Sequence, residues 1–481
     1  MRTGSLELTA EKVLFGLLLL LLLWVPIPLG SNRVWAWSIL EVAAYALVGI
    51  WGLLWALGQV RVPDSLAKAW PAFVLLGLWL LHNVLHMVPM PPSWVTVLSP
   101  EAARMQSLTD GIGIVRETMT LSVDPHASKQ AFLKSLAYVG VFFLVLALTT
   151  NRSRVLVLAR VLVYAAVVHA IYAVLMHLEG AQHELFGTLF YHRDSASGTY
   201  PNRNHFAGYL AMMLAVGIGL LIAGLSDRSA DSWKRFFSHL IDWILSPKMV
   251  LRLSLCVLVI ALTTTHSRMG NTAFFSSLLV AGVIGIVLSR HATRNTVVLL
   301  VSLVAIDLFI VGSWFGVEKL AKRLEETTMA HVQEREEPAA YTIPLIKDYP
   351  VFGSGPGSFY VTFPRYRPES IANFYDYAHN DYAQIAAETG LVGLGLLGSL
   401  VVLTLGVALR AQWIRRDPLM RGMSFACIMG VTAILIHSWV DFNLQIPANA
   451  VFFMVLLALG WISLHLDRHA LVVPTRRPDT P

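Results

Sequence analysis

Four short stretches of this 481-residue chain gather the residue types that can do chemistry. The first is Ser197-Gly198-Thr199-Tyr200-Pro201-Asn202-Arg203-Asn204-His205-Phe206-Ala207-Gly208. Gly198 and Pro201 mark a turn, and Asn202 or Asn204 is suited to cap the helix that follows. Arg203 and His205 would then stand at a helix N-terminus, where positive charge opposes the macrodipole. A bound anion would relieve that conflict, and helix N-termini with Arg suit phosphate. An Arg snorkelling to lipid headgroups accounts for Arg203 equally well.

The second stretch is Thr263-Thr264-Thr265-His266-Ser267-Arg268-Met269-Gly270, in a connection so short that Arg268 must stay near a membrane surface. An ionisable group costs on the order of 2.5–3.5 kcal/mol at the centre of a bilayer. Arg268 therefore calls for a partner, an anionic ligand or a carboxylate, and short outer connections offer few acids.

The third, Asp348-Tyr349-Pro350-Val351-Phe352-Gly353-Ser354-Gly355-Pro356-Gly357-Ser358-Phe359, has three closely spaced glycines. They would let backbone N–H groups converge as an anion nest; a plain structural turn is the simpler reading. The fourth begins His379-Asn380-Asp381 and continues through Glu388, Gly390, Gly393 and Gly395. An imidazole at the opening of a membrane helix can take or relay a proton near neutral pH. Glu388, nine residues on and about 900° around the helix, faces away from it. The glycines allow a neighbouring helix to approach closely.

Other patterns carry less. His82 and His86 are spaced i,i+4 without the Glu of a metalloprotease motif. Asp441, Asn443 and Gln445 would contact a polar ligand or satisfy one another. There is no Walker motif for ATP and no GxSxG elbow.

The elements that must hold these stretches follow from composition. Apolar residues make up 56% of the chain and charged residues only 14%, against roughly 25% charged in soluble domains. Apolar runs of about 20 residues, enough to cross a bilayer as a helix, recur over 13–29, 35–58, 70–89, 131–149, 155–177, 204–225, 249–265, 271–289, 296–316, 380–409, 422–439 and 449–465. The expected fold is all-α: a polytopic membrane protein of about 12 transmembrane helices with a large extracytoplasmic loop. The expected organisation is helices 1–3 and a first outer loop over 1–130, helices 4–9 over 131–316, the large loop over 317–379, helices 10–12 over 380–466, and a cytoplasmic tail over 467–481. The Leu-rich start after Lys12 resembles a signal peptide, but no small-residue cleavage site follows cleanly, so a retained first helix is expected.

With the N-terminus inside, nineteen Lys and Arg fall on the inner connections and tails, and only Arg33, Arg193, Arg203 and Arg268 on the short outer ones. That bias orients the bundle and puts both long loops and all four stretches outside. It also accounts for the net charge of +6 without a nucleic-acid partner. Cys256 and Cys427 lie inside apolar runs with no metal or disulfide spacing.

Taken together, His379-Asn380, nine residues and then Gly390-x-x-Gly393 resemble the signature of the bacterial O-antigen ligase and polymerase superfamily. Ser197-Gly198-Thr199-x-Pro201-Asn202-x-Asn204, Ser267-Arg268, the Asp348–Phe359 stretch and Asp441-Phe442-Asn443-Leu444-Gln445-Ile446-Pro447-Ala448-Asn449 follow the order such proteins show. The resemblance runs from about residue 135 to 450. It implies a GT-C-like, metal-independent, inverting glycosyltransferase of the bacterial inner membrane, without a cofactor. Such an enzyme moves a glycan from undecaprenyl diphosphate to an acceptor on the periplasmic face. Carried over by position, Arg268 and Arg203 would hold the diphosphate and His379 would contact or activate the acceptor hydroxyl. Asn202, His205, Asn380 and Asp441 join the expected substrate-binding set, with Arg335, Arg365 and Arg367 as further diphosphate candidates, for which solvated loop charges are the simpler reading. Leu394 stands where a ligase often has Thr, which weakens assignment to the lipid A–core ligases. The acceptor is accordingly a growing glycan, lipid A–core or a protein. The rival class is a transporter or flippase of polyprenyl-linked oligosaccharides, which would use the same arginines to bind rather than react. Polar groups clustered at span ends rather than at the midplane favour the enzyme.

Overall fold

The computed structural model describes residues 2–108, 117–180, 182–191, 195–224, 247–288, 329–369 and 374–466, with a few isolated positions between them. The described residues are mostly helical, the main helices being α1 (Arg2–Trp24), α2 (Val34–Ala56), α3 (Trp70–Leu85), α4 (Pro125–Leu148), α5 (Arg152–Glu179), α6 (Arg203–Ala223), α7 (Pro247–Thr264), α8 (Arg268–Leu288), α9 (Met329–Asp348), α10 (Asp381–Ile414), α11 (Pro418–His437) and α12 (Pro447–His465). Eight of these are long and apolar enough to cross a membrane, and two apolar helices are shorter, among the described residues. Eleven of the twelve expected spans coincide with a helix; the one over 296–316 lies almost wholly outside the described residues.

Helix starts follow their side chains. Asp124 Oδ1 accepts from the N–H groups of His126 and Ala127 ahead of α4, Asn151 caps α5, and Asp417 caps α11 with Pro418 behind it. At the other end, α5 stops at Gly180 in the left-handed region.

The middle of the bundle is α6, α11 and α12, which are buried all round, as helices apolar on every face must be. Small residues let them approach: a Cβ on Gly219 would overlap the Gly422 carbonyl, and one on Gly422 would overlap that of Gly219. By contrast α2 and α10 leave most of their apolar surface uncovered, as lipid-facing helices do.

Helix ends meet in two layers. In one, Arg152 pairs with Asp417, Arg154 with Glu11 at 3.2 Å, and Arg415 donates to the Ser463 and Leu466 carbonyls at the end of α12. Several cations expected as plain cytoplasmic anchors are thus tied to neighbouring helix ends. The other layer holds all four chemistry-bearing stretches and a second apolar cluster.

That cluster is built from the two long connections, which carry helices of their own. Residues 90–130 form two short helices (Pro92–Leu98 and Pro100–Ser107) and an isolated bridge between Met90 and Met119. Within 317–379 lies α9. The two segments pack together through Val95, Ala102, Leu121, Leu345, Tyr349, Phe359 and Phe363. A small antiparallel hairpin, β1 (Gln182–Leu185) with β2 (Thr188–Tyr191), adds the one described sheet to the expected all-α fold.

α10 is broken at Gly390, whose φ of 65° and ψ of −172° are non-helical. The groups freed by the break are paired: Leu391 N–H donates to Pro350 O and Val392 N–H to Val351 O, while Ala387 O and Glu388 O accept from Ser354 and Gly355. A Cβ on Gly390 would overlap the Val351 carbonyl. The third and fourth stretches are therefore one sewn unit.

Candidate functional site

The start of α6 carries the first stretch. Asn202, extended at the cap position, accepts from Asn204 N–H through Oδ1, as its residue type leads one to expect. Arg203 opens the helix and His205 lies in its first turn. α8 begins alongside: Ser267 Oγ accepts from Gly270 N–H, and a Cβ on Gly270 would strike Ala207 of α6. Ala196 N–H donates to Thr264 O, so the two helix starts form one surface with Arg203 and Arg268 both on it.

Opposite stands the 374–380 segment leading into α10. His379 adopts φ 52°, an uncommon conformation for a residue with a Cβ. It precedes Asn380, whose Oδ1 caps α10 at Ala383 N–H and whose Nδ2 donates to Trp439 O. Between these two walls lies a cavity of about 260 Å³, lined by Asn202, His205 and Tyr200 from one side and by Phe374, Tyr375, Asp376, Tyr377 and His379 from the other. Phe442 and Ile446 from the α11–α12 connection, with Leu29 and Asn32, complete it. The imidazoles of His205 and His379 both meet the Phe442 ring edge-on, with centroids 4.5 and 4.9 Å away, and Tyr377 stacks on that ring at 4.6 Å. Burial pushes the Tyr377 phenol up to about 12, helped by Glu388 and Asp376, so it stays a neutral donor.

Behind the lining lies a buried polar layer. Asp441 Oδ1 is 3.3 Å from His205 Nε2, and Asp441 Oδ2 is 3.7 Å from His437 Nε2. Burial opposes the charge on Asp441, but the two imidazoles and the Phe442 N–H prevail and hold its carboxyl below the usual range. Asp381 Oδ2 accepts from Ser438 Oγ at 2.7 Å and from Leu444 N–H at 3.1 Å, fixing the α11–α12 connection to the head of α10. Asn449 Nδ2 donates to His205 O and to Asn443 Oδ1.

The structure thus brings Asn202, His205 and His379 to one cavity, with Asp441 directly behind His205. Arg203 and Arg268 flank it on the neighbouring helix starts without lining it. The Asn380 amide caps α10 and donates to Trp439 O. Arg365 pairs with Glu101, a carboxylate that Arg104 also holds and that is kept ionised below its usual range chiefly by Arg104. Arg365 is therefore committed to joining the two outer segments, and the Arg367 guanidinium lies 5.2 Å over the Phe374 ring. Arg335 lies on α9, with its side chain outside the described residues.

The glycine-rich turn at 353–357 is not an open nest. Its N–H groups go to Tyr349 O, Ala387 O and Glu388 O, and the Phe359 N–H donates to Glu388 Oε1 at 3.1 Å. Gly353 and Gly355, both with positive φ, leave no room for a Cβ against Glu388 and Ser122. Glu388, which carried no role in the sequence reading, is the residue that fixes this turn.

Sequence reasoning also missed the aromatic walls (Tyr200, Tyr375, Tyr377, Phe442), the Asp381 tie and His437. The i,i+4 spacing of His437 and Asp441 was a legible signal, obscured because it straddles a helix end. Among the described residues no group of three or more His, Cys, Asp or Glu is placed to hold a metal ion.

Comparison with known families gives one finding: the O-antigen ligase family model matches residues 253–398, from within α7 to the middle of α10. That span contains Arg268, the glycine-rich turn and His379. No curated protein matches the chain.

Proposed function

From the match of residues 253–398 to the O-antigen ligase family model we propose that the chain transfers a glycan from a polyprenyl diphosphate to an acceptor hydroxyl. The reaction takes place at the periplasmic face of a bacterial cytoplasmic membrane, in the cavity between the start of α6 and the 374–380 segment. The observation that carries this reading is the position of His379: the imidazole lines a polar and aromatic cavity at the head of a membrane helix, within the segment that matches the family.

The chemistry follows from that placement. The acceptor oxygen attacks the anomeric carbon of the donor, and the bond from that carbon to the diphosphate oxygen breaks with its electron pair going to the leaving group. The acceptor proton passes to the His379 imidazole. Negative charge builds on the diphosphate, and Arg268 and Arg203, at adjacent helix N-termini, are suited to stabilise it electrostatically. Attack opposite the leaving group inverts the anomeric centre. The aromatic rings of Tyr375, Tyr377 and Phe442 offer flat apolar faces to a sugar, and Asp376 offers an acceptor for its hydroxyls. The polyprenyl tail has the uncovered apolar surface of the outer helices to lie on.

The test is reconstitution of the full chain with a lipid-linked oligosaccharide, with and without lipid A–core, products being resolved by size and attached lipid. A ladder on the polyprenyl diphosphate without added acceptor identifies a polymerase. Product only with lipid A–core identifies a ligase, and product on added protein a protein-glycosylating enzyme. Movement of donor between leaflets with no new glycosidic bond overturns the reading in favour of transport.

A further inference from the structure

Asp441 is 2% exposed, and its charged partners among the described residues are the His205 and His437 imidazoles. A carboxylate removed from water needs a compensating positive charge close by, so a proton must reside on this trio. His437, 1% exposed at the end of α11, lies behind the cavity; His205, 3% exposed, is the imidazole that lines it. A second buried group points to a ligand at the same place. Tyr200 is fully buried and lines the cavity, and its hydroxyl has no hydrogen-bond partner among the described residues. A buried hydroxyl without a partner costs on the order of 1–3 kcal/mol.

We propose that His205, backed by Asp441, and Tyr200 donate hydrogen bonds to a phosphoryl oxygen of the lipid diphosphate. The inference rests on the glycosyl-transfer reading for the identity of the ligand. A phosphoryl oxygen fits better than a sugar hydroxyl, because the donors stand at the N-terminal turn of α6, next to Arg203, where dipole and charge both favour an anion. His205 is then a substrate-contacting residue, and Asp441 is a positioning residue acting through it. The other titratable groups facing this cluster are Asp381 of α10, tied to the same connection through Ser438, and His379, Tyr375, Asp376 and Tyr377 across the cavity.

The experiment measures binding of geranyl diphosphate to the full chain in nanodiscs at pH 6 and pH 9, with Tyr200→Phe, His205→Gln, Asp441→Asn, Arg268→Gln and His379→Gln. At pH 6, His205→Gln weakens binding about tenfold and Tyr200→Phe about threefold, as loss of a charge-assisted and a neutral hydrogen bond would. Asp441→Asn keeps a partner for Nε2 and removes the charge, so it matches His205→Gln at pH 6. The ratio between wild type and either variant is smaller at pH 9 than at pH 6, as a contact that depends on the proton shared with Asp441 requires; a purely structural role would leave that ratio unchanged. Tyr200→Phe removes a single oxygen, which keeps the test open if a histidine variant misfolds. Wild-type affinity in Tyr200→Phe and His205→Gln, no binding by the wild-type chain, or equal competition by phosphatidylglycerol in the nanodisc each overturns the inference. If transfer is lost in Arg268→Gln and His379→Gln while His205→Gln binds the probe normally, the glycosyl-transfer reading stands and this inference alone falls.

Discussion

Two regions of the molecule present the same features in one dimension and opposite ones in three. The turn at 353–357 and the start of α6 at 202–205 both have the makings of an anion cradle. In the turn, the N–H groups are spent on the 387–388 carbonyls and the Glu388 carboxylate, and the glycines serve close packing. At α6, the cap is satisfied by Asn202, a cavity lies in front and a buried carboxylate lies behind. Donor density in a sequence is thus a poor guide to anion binding. What counts is whether the donors already have protein partners, because a satisfied N–H gains little from a ligand.

The sharpest way to separate the two regions is to break each at its central residue. The largest expected effect is at the cavity: His379→Gln should lower turnover by about 10² to 10⁴, the range for loss of a general base. Donor binding and thermal unfolding should stay near wild type, and parallel kinetics and calorimetry would check both. The helix break that the turn packs against should respond in the opposite sense. Gly390→Ala forces a Cβ into the Val351 carbonyl at a left-handed φ, costing more than about 3 kcal/mol. It should reduce yield and unfolding temperature before any effect on catalysis can be measured.

Smaller changes sharpen the contrast. Glu388→Ala strands the Phe359 N–H and the Gln384 amide and should destabilise by about 2–3 kcal/mol, while turnover per folded molecule is kept. If turnover collapses in a fully folded Glu388→Ala protein, the turn is not merely structural. Asn202→Ala removes a cap worth about 1 kcal/mol, so a small fall in unfolding temperature with a rise in donor KM is expected.

The smallest effect lies between the outer segments. Arg104 and Arg365 hold Glu101 below its ordinary value, so the stability it contributes is complete above about pH 4.3. That contribution is lost as pH falls through the depressed folded value. Because the arginines are about half exposed, Glu101→Gln should cost less than about 1 kcal/mol at neutral pH. Its acid unfolding curve should be correspondingly flatter than that of wild type.

The sequence by itself determined the all-α membrane class, the positions of most helices, a cap at the start of α6 and the resemblance to the O-antigen ligase family that the match over 253–398 supports. Those signals are local: an apolar run long enough to span, an Asn one turn ahead of a donor, a glycine at a stop. Asn202 and Asn380 illustrate the limit, since capping was legible for one and the tie of the other to Trp439 was not. Tertiary structure decided which polar residues face the cavity, which pair with one another, and what the long connections do. It committed Arg365 to Glu101, gave Glu388 to the glycine turn, and set Asp441 behind His205 through contacts such as Asn449 to His205, 244 residues apart. The physical reason is range. Hydropathy and capping act within a turn or two of helix, whereas the partner of a buried charge is chosen by whichever helix end desolvates it, and that is fixed only when the bundle closes.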